Sequence, residues 1–352
     1  MWLTSSSIGR KLVMAITGVC LVLFVTFHVL MNAVCIFWPT AYNQICEFLG
    51  ANWYALIASA GLALLFIIHI VYACWLTIQN KKARGNDPYK VTSRPPQVEW
   101  SSKNMLVLGL VVFAFLIVHL VQFWYKMQYQ EMMHHELSAL PTLEGAPVPP
   151  ALGTIFIQMA FSQIWTVVVY VIGFIALWFH MNHGFWSMFH TAGWDNNIWI
   201  NRLKTIGCWW TSIVIGLFII QAVVFTVRAN QNYYTENIAL QEQYGEYWNE
   251  QANVIAEDFQ AGFLKTVDIS NMDRMQIQSA QQDYMMKEGP AFVAKAESVL
   301  NGAKKFCPDV ALEGINNLEQ FAGFVKSNLP AGSGLDEEPE AAAENNTETV
   351  NE

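Results

Sequence analysis

Eight histidines occur in this chain of 352 residues, and four of them, His28, His69, His119 and His180, each stand inside a separate long apolar run. Imidazole ligates metals and carries protons near neutral pH, and an ionisable side chain inside a bilayer is costly enough to imply a function. One such residue would read as a buried imidazole bonded to a neighbouring helix. Four in successive runs require a shared chemistry, and metal ligation is the one that uses several imidazoles together.

The runs that must position them are Leu12 to Phe37, Trp53 to Ile78, Met105 to Tyr125 and Gln163 to Phe185, with a fifth from Thr205 to Val227. Each has the roughly 20 residues that an α-helix needs to cross a bilayer core of about 30 Å. The first follows Arg10 and Lys11 as a signal peptide would, but its apolar run is too long and no small-x-small cleavage pattern follows, so it is expected to stay in the protein. The predicted fold is therefore all-α, a bundle of five membrane-spanning helices.

Composition agrees: 54% of residues are apolar and only 13% charged, about half the usual globular share of charge, which excludes an ordinary soluble enzyme. Up to Asn230 twelve Lys and Arg stand against seven Asp and Glu, and beyond it seven stand against 21. A slightly basic apolar part with an acidic polar extension argues against nucleic acid as a partner and for a lipid bilayer. Near the span ends, ten basic residues fall in the connections on one side and only Lys126 and Arg228 on the other. Positive residues stay inside, so the N-terminus is expected in the cytoplasm and the C-terminal part outside, in a cytoplasmic (inner) membrane. Trp38, Trp53, Trp124 and Tyr125 then fall at the outer interface.

Depth sorts the four histidines, because successive spans run in opposite directions and each residue rises about 1.5 Å. His28 lies 16 residues from the inner end of its span and His119 lies 14, which puts both in the outer half. His69 lies nine residues before the inner end of its span, and His180 approaches the inner end of the next. Two pairs result, one per leaflet, separated by roughly 10 Å of depth. Helix bundles hold haem between imidazoles on facing helices at matched depth, so the pattern predicts two b-type haems. A zinc or di-iron site would gather its ligands at one depth and use carboxylates, yet the spans contain no Asp or Glu. That absence also weighs against a proton-coupled transporter. Ala73, Gly173 and Gly184, near His69 and His180 in sequence, could let a flat porphyrin approach.

His183, one turn from His180, is the alternative ligand; His180 lies deeper and is preferred. His134 and His135 read as solvated or interfacial. Arg10, Lys11, His190 and Arg202 near the inner surface are candidate partners for anionic haem propionates. Six cysteines form no C-x-x-C pair, which excludes covalent haem attachment, a Cys-rich zinc site and a ferredoxin-like cluster carried here. Cys35 and Cys46 could pair in an oxidising compartment, but read as small core residues. The connection from Lys126 to Ser162, with four prolines, is expected to hold a surface helix or loop. Three segments follow: a transmembrane domain over 1–230, a helical polar extension over 231–332 with Ile255, Phe259 and Phe263 at helical spacing, and an acidic tail over 333–352. The tail has seven acidic and no basic residues, a composition expected to be disordered.

The stretch from Ser6 to Gly18 (SIGRKLVMAITG after Ser6), FHVLMN around His28, and HMNHGFWS from His180 to Ser187 resemble the cytochrome b membrane anchors of succinate:quinone oxidoreductases, the succinate dehydrogenases and fumarate reductases. The resemblance is to the single-subunit, five-span, two-haem class and covers about Ser5 to Arg228. It implies that His69 and His180 bind the proximal haem, and His28 and His119 the distal one. It further implies a flavoprotein subunit with covalent FAD, an iron-sulfur subunit carrying clusters, and a membrane quinone, menaquinone, bound near the distal haem. Lys81 to Lys103 is then a docking surface for the cytoplasmic subunits. Glu47, the only carboxylate of the first outer connection, becomes the candidate quinone residue, with Trp38, Tyr42 and Trp53 as walls. One departure stands out: some members carry a glutamate two residues before the fourth ligand, where this chain has Trp178, which removes that route for proton transfer. The rival expectation is a cytochrome b subunit of another respiratory enzyme, such as formate dehydrogenase, hydrogenase or nitrate reductase. A haem-free transporter or scaffold would be a colourless protein.

Overall fold

The computed structural model describes residues 6–84, 100–133, 136–194, 196 and 198–330. Lys90 and Arg94 of the basic connection, His134, His135 and the acidic tail lie outside the described residues. Five helices are long and apolar enough to cross a membrane: α1 (Ser7–Phe37), α3 (Trp53–Arg84), α4 (Met105–His119), α6 (Ile164–Thr191) and α7 (Trp199–Asn230). They coincide with the five apolar runs. Between the first two lies α2 (Pro39–Ala51), and α5 (Gly153–Phe161) precedes α6. The chain reads as a multi-pass membrane protein of the all-α class.

Local chemistry sets the boundaries. The Ser6 hydroxyl accepts from Gly9 N at 2.9 Å and caps α1, and α2 opens on Pro39, whose missing N–H costs nothing there. α6 closes where Gly193 takes φ +79°, with Trp194 N donating to Phe189 O at 3.0 Å, a Schellman-type stop. After His119 the α4 backbone widens into a π-turn, Leu120–Trp124, whose end is marked by Tyr125 N donating to Leu120 O at 2.8 Å. Such turns recur at functional sites.

Clustering of contacts divides the chain into two units, 1–136 with 148–240, and 137–147 with 241–352. The boundary thus falls ten residues beyond Asn230, and the segment 137–147 of the long connection groups with the C-terminal helices. In the first unit α6 is central and packs on α1, α4 and α7, while α3 leans mainly on α1. Gly173 and Gly207 let the rings of Phe115 and Phe185 press against the helix backbone. The space beside Gly173 is therefore filled by Phe115, which corrects the expectation that it admits a porphyrin; nothing approaches Gly184. Polar side chains tie the helices where lipid offers no partner: Gln221 donates to Val29 O at 2.8 Å, and Arg228 to Cys35 O and Ile36 O at 3.2 and 2.9 Å. Apolar side chains such as Leu23, Ile67, Val107, Ile172 and Ile213 stand exposed on the spans, a surface suited to lipid. Cys35 and Cys46 are free thiols.

The second unit contains the main part of α8 (Ile238–Thr266), α9 (Arg274–Phe306), α10 (Glu313–Ser327) and a hairpin of β1 (Thr142–Leu143) and β2 (Ala146–Pro147). The hairpin turns through Glu144 and Gly145 at φ +51° and +85°, the pattern of a two-residue turn matching strand twist, and Lys305 of α9 ion-pairs with Glu144. Asp273 and Gln276 form a capping box at the start of α9. Its core is built on Trp248, fully buried, whose ring lies against the bare backbone of Gly302. Phe259, Phe292 and Phe321 make a second aromatic contact set. Burial of Cys307 pushes its thiol up to about 11.

A methyl at residue 302 has no room beneath Trp248, so Gly302→Ala is expected to destabilise this unit by about 1–3 kcal/mol. Alkylation of Cys307 at pH 8 in the intact protein reports it: slow in the native chain, several-fold faster in the variant. Above the ordinary thiol range the unfolded chain releases a proton that the folded unit retains. Stability of the unit should therefore fall as pH rises from about 9 towards 11.

Candidate functional site

The four membrane histidines meet in two pairs. The His28 and His119 rings, from α1 and α4, have centroids 5.7 Å apart at 82°, and those of His69 and His180, from α3 and α6, lie 6.3 Å apart at 65°. These are the pairs that depth and span direction give. Imidazole–metal bonds of about 2.0–2.1 Å put two rings on opposite sides of one metal about 6.4 Å apart, centre to centre. One pair meets that spacing and the other falls just short of it. His183 is one turn from His180, but His180 is the ring opposed to His69.

Hydrogen bonds orient three of the four imidazoles. The Tyr170 hydroxyl donates to Gln122 Oε1 at 2.9 Å and lies 3.2 Å from His119 Nδ1. Its single proton goes to the glutamine, so the histidine Nδ1–H is the donor in the other contact. The Thr17 hydroxyl lies 2.9 Å from Val13 O, 3.1 Å from Met14 O and 3.1 Å from His69 Nδ1; with its proton given back to its own helix it accepts from Nδ1–H. Both rings then keep an unprotonated Nε2, the form that ligates metal. At His28 the contact is at Nε2 itself, 3.2 Å from Asn32 Nδ2, which also donates to His28 O at 2.9 Å, so a metal on this Nε2 would take the place of the asparagine amide. Tyr42 donates to the same asparagine at 3.3 Å. His180 Nδ1 is buried and finds no hydrogen-bond partner among the described residues.

Thr17, Asn32, Gln122 and Tyr170 do not feature in the sequence expectations. Asn32 and Gln122 carried a signal there, as polar residues one turn after a histidine in an apolar run. Gln122 reaches Tyr170 from within the π-turn. Gly18 and Gly109 also escaped notice: a methyl on them would lie 3.7 Å from His69 Cε1 and 3.5 Å from His180 Cε1, so both glycines border the inner pair.

The remaining candidates separate. Arg10 is half-buried and its guanidinium lies 5.8 Å over Trp75. Seven residues before Thr17, it shares the helix face that holds His69. Lys11, His190 and Arg202 are exposed, Arg202 stacking on Trp199 at 5.3 Å. Glu47, Trp38 and Trp53 are exposed, whereas Tyr42 is buried and linked to His28 through Asn32. Trp178 donates to Ser212 of α7 at 3.0 Å. Burial lifts the Cys46 thiol beside Tyr42 to about 12.

The pairs suit a metal that takes two imidazoles on opposite sides, with further coordination supplied by something other than side chains. No family model, curated protein or solved structure matches the chain.

Gly109→Ala places its methyl at ordinary contact distance and should keep the inner pair, whereas Gly109→Leu must displace the His180 ring. Elemental analysis of the purified protein checks this: the metal content of the parent is expected in the first variant and about half of it in the second. Equal metal in both would remove Gly109 from the site.

Proposed function

We propose that this chain is the two-haem cytochrome b membrane anchor of a succinate:quinone oxidoreductase, passing electrons between an iron-sulfur subunit and menaquinone. The observation that carries the proposal is the meeting of four histidines from four spans as two opposed pairs. Dicarboxylate chemistry belongs to a flavoprotein partner with FAD. Haem, when bound, supplies one-electron transfer.

Within this reading His69 and His180 hold the proximal haem, and His28 and His119 the distal one. Thr17 and Tyr170 keep the proton on Nδ1, orient their rings and raise the basicity of Nε2. Arg10 is the propionate partner best supported, being half-buried on the His69 face of α1. The N-terminus and the basic connection between α3 and α4 face the cytoplasm, where Lys81, Lys82 and Lys103 are open to the partner subunits. The C-terminal helices are extracytoplasmic.

A reduced-minus-oxidised spectrum of the detergent-purified protein, with a haem count, tests this. Two b-type haems per chain, copurifying with a flavoprotein and an iron-sulfur protein, are expected; a colourless protein sinks the proposal. His69→Ala and His180→Ala should each remove one haem, and His28→Ala and His119→Ala the other. If all four variants keep two, the ligand assignment is wrong. Tyr170→Phe should retain both haems but raise the midpoint potential of the distal one, since loss of the acceptor makes His119 a weaker donor to oxidised iron. An unchanged redox titration would reduce Tyr170 to a packing role.

A further inference from the structure

Exposed apolar side chains of the second unit gather at one end. Of the seven large ones exposed among its described residues, Leu264, Ile269, Met272 and Met275 fall within twelve residues where α8 ends and α9 begins. Leu264 and Met275 are 62% and 75% exposed. The seam between the two helices closes at Phe263 and Tyr284, whose ring centroids are 5.6 Å apart, so these four residues stand beyond it along the chain and stay open. Local bonds shape the turn that carries them. Val267 N donates to Phe263 O at 3.0 Å, Met272 N to Ile269 O at 3.2 Å and Ser270 N to Asp268 Oδ1 at 3.1 Å.

The charges at this end are used unequally. Asp273 accepts from Met275 N and Gln276 N at 2.9 and 2.8 Å as the cap of α9, and Asp268 holds Ser270. Lys265 and Arg274 are exposed and form no ion pair among the described residues. Two observations choose the partner for this mixture of aliphatic, thioether and cationic groups. Protein interfaces are centred on aromatic anchors and bury roughly 800 Å² per partner, whereas 264–275 holds no aromatic residue and only four open apolar side chains. A bilayer lies within reach, because α8 begins eight residues after the last span ends and, with 29 residues, is roughly 43 Å long.

We infer that the turn between α8 and α9 is a contact with the phospholipid surface. Leu264, Ile269, Met272 and Met275 enter the acyl boundary, and Lys265 and Arg274 lie at the level of the phosphates. The inference does not depend on the proposed function.

The test uses the full chain reconstituted in phosphatidylcholine vesicles that contain a phospholipid with a diazirine on the upper acyl chain. Adducts formed on illumination are mapped by mass spectrometry. Labelling within Leu264–Met275, besides that of the five spans, is expected. Leu264→Ser with Met275→Ser should reduce it about tenfold, and Lys265→Gln with Arg274→Gln several-fold, with the spans labelled as before. Slow alkylation of Cys307 in both double variants shows that the unit keeps its fold. Labelled spans beside a bare 264–275 segment would overturn the inference. So would adducts that survive both double variants, or two copies joined at Lys265 by a lysine-reactive cross-linker in place of lipid adducts.

Discussion

Lipid offers no hydrogen bonds, so every polar group within the spans must find its partner inside the protein. The helix backbone meets this demand by itself, but four imidazoles cannot. Their positions decide which helices must touch: α1 meets α4 through His28 and His119, and α3 reaches α6 through His69 and His180. Thr17 ties α1 to α3, and Tyr170 ties α6 to α4. The same demand explains Gln221 and Arg228 of α7, which donate to carbonyls of α1. Interhelical bonds of this kind contribute about 0.6–2 kcal/mol each in membranes. They choose neighbours more than they supply stability.

Central placement of α6 follows from its small and polar residues. Gly173 accepts the Phe115 ring from α4, and Trp178 bonds Ser212 of α7. Exposed Ile172 and Ile175 lie one and two residues from buried Gly173 and Phe174. One face of the helix is thus kept for protein and the other for lipid. By contrast α3 has no buried residue in its most apolar stretch and packs mainly on α1, where His69 meets Thr17.

Span number, span ends and the histidine pairing were legible in the sequence. Apolar length sets the first two, and a fixed rise with alternating direction sets the third. Helix rotation and neighbour choice were not legible, and the rest of the site depends on them. Gly184 and Gly173 both lie near His180 in sequence, yet one is open and the other filled by a phenylalanine from a different helix. Gly18 and Gly109, distant in sequence from the histidines they border, could be found only once α1, α3, α4 and α6 were assembled. The π-turn after His119 leaves no mark in LVQFW that periodicity could detect. Leu137–Pro147 joined the C-terminal helices because its hairpin packs on α9, a long-range pairing that local pattern does not encode.

The two pairs differ in their surroundings, and the difference has chemical consequences. Around His28 and His119 the network is polar on both sides, with Asn32 and Tyr42 at one ring and Tyr170 and Gln122 at the other. Around His69 and His180 one ring has a threonine already bonded to its own helix, and the other has a buried Nδ1 facing a glycine. A hydrogen bond from Nδ1 strengthens an imidazole as a ligand, and a bare Nδ1 leaves it weaker. The outer pair is linked by hydrogen bonds to Gln122, which lines a cavity on the membrane-spanning surface. A change there can reach His119 through two bonds, Gln122 to Tyr170 and Tyr170 to the ring, with no movement of a helix.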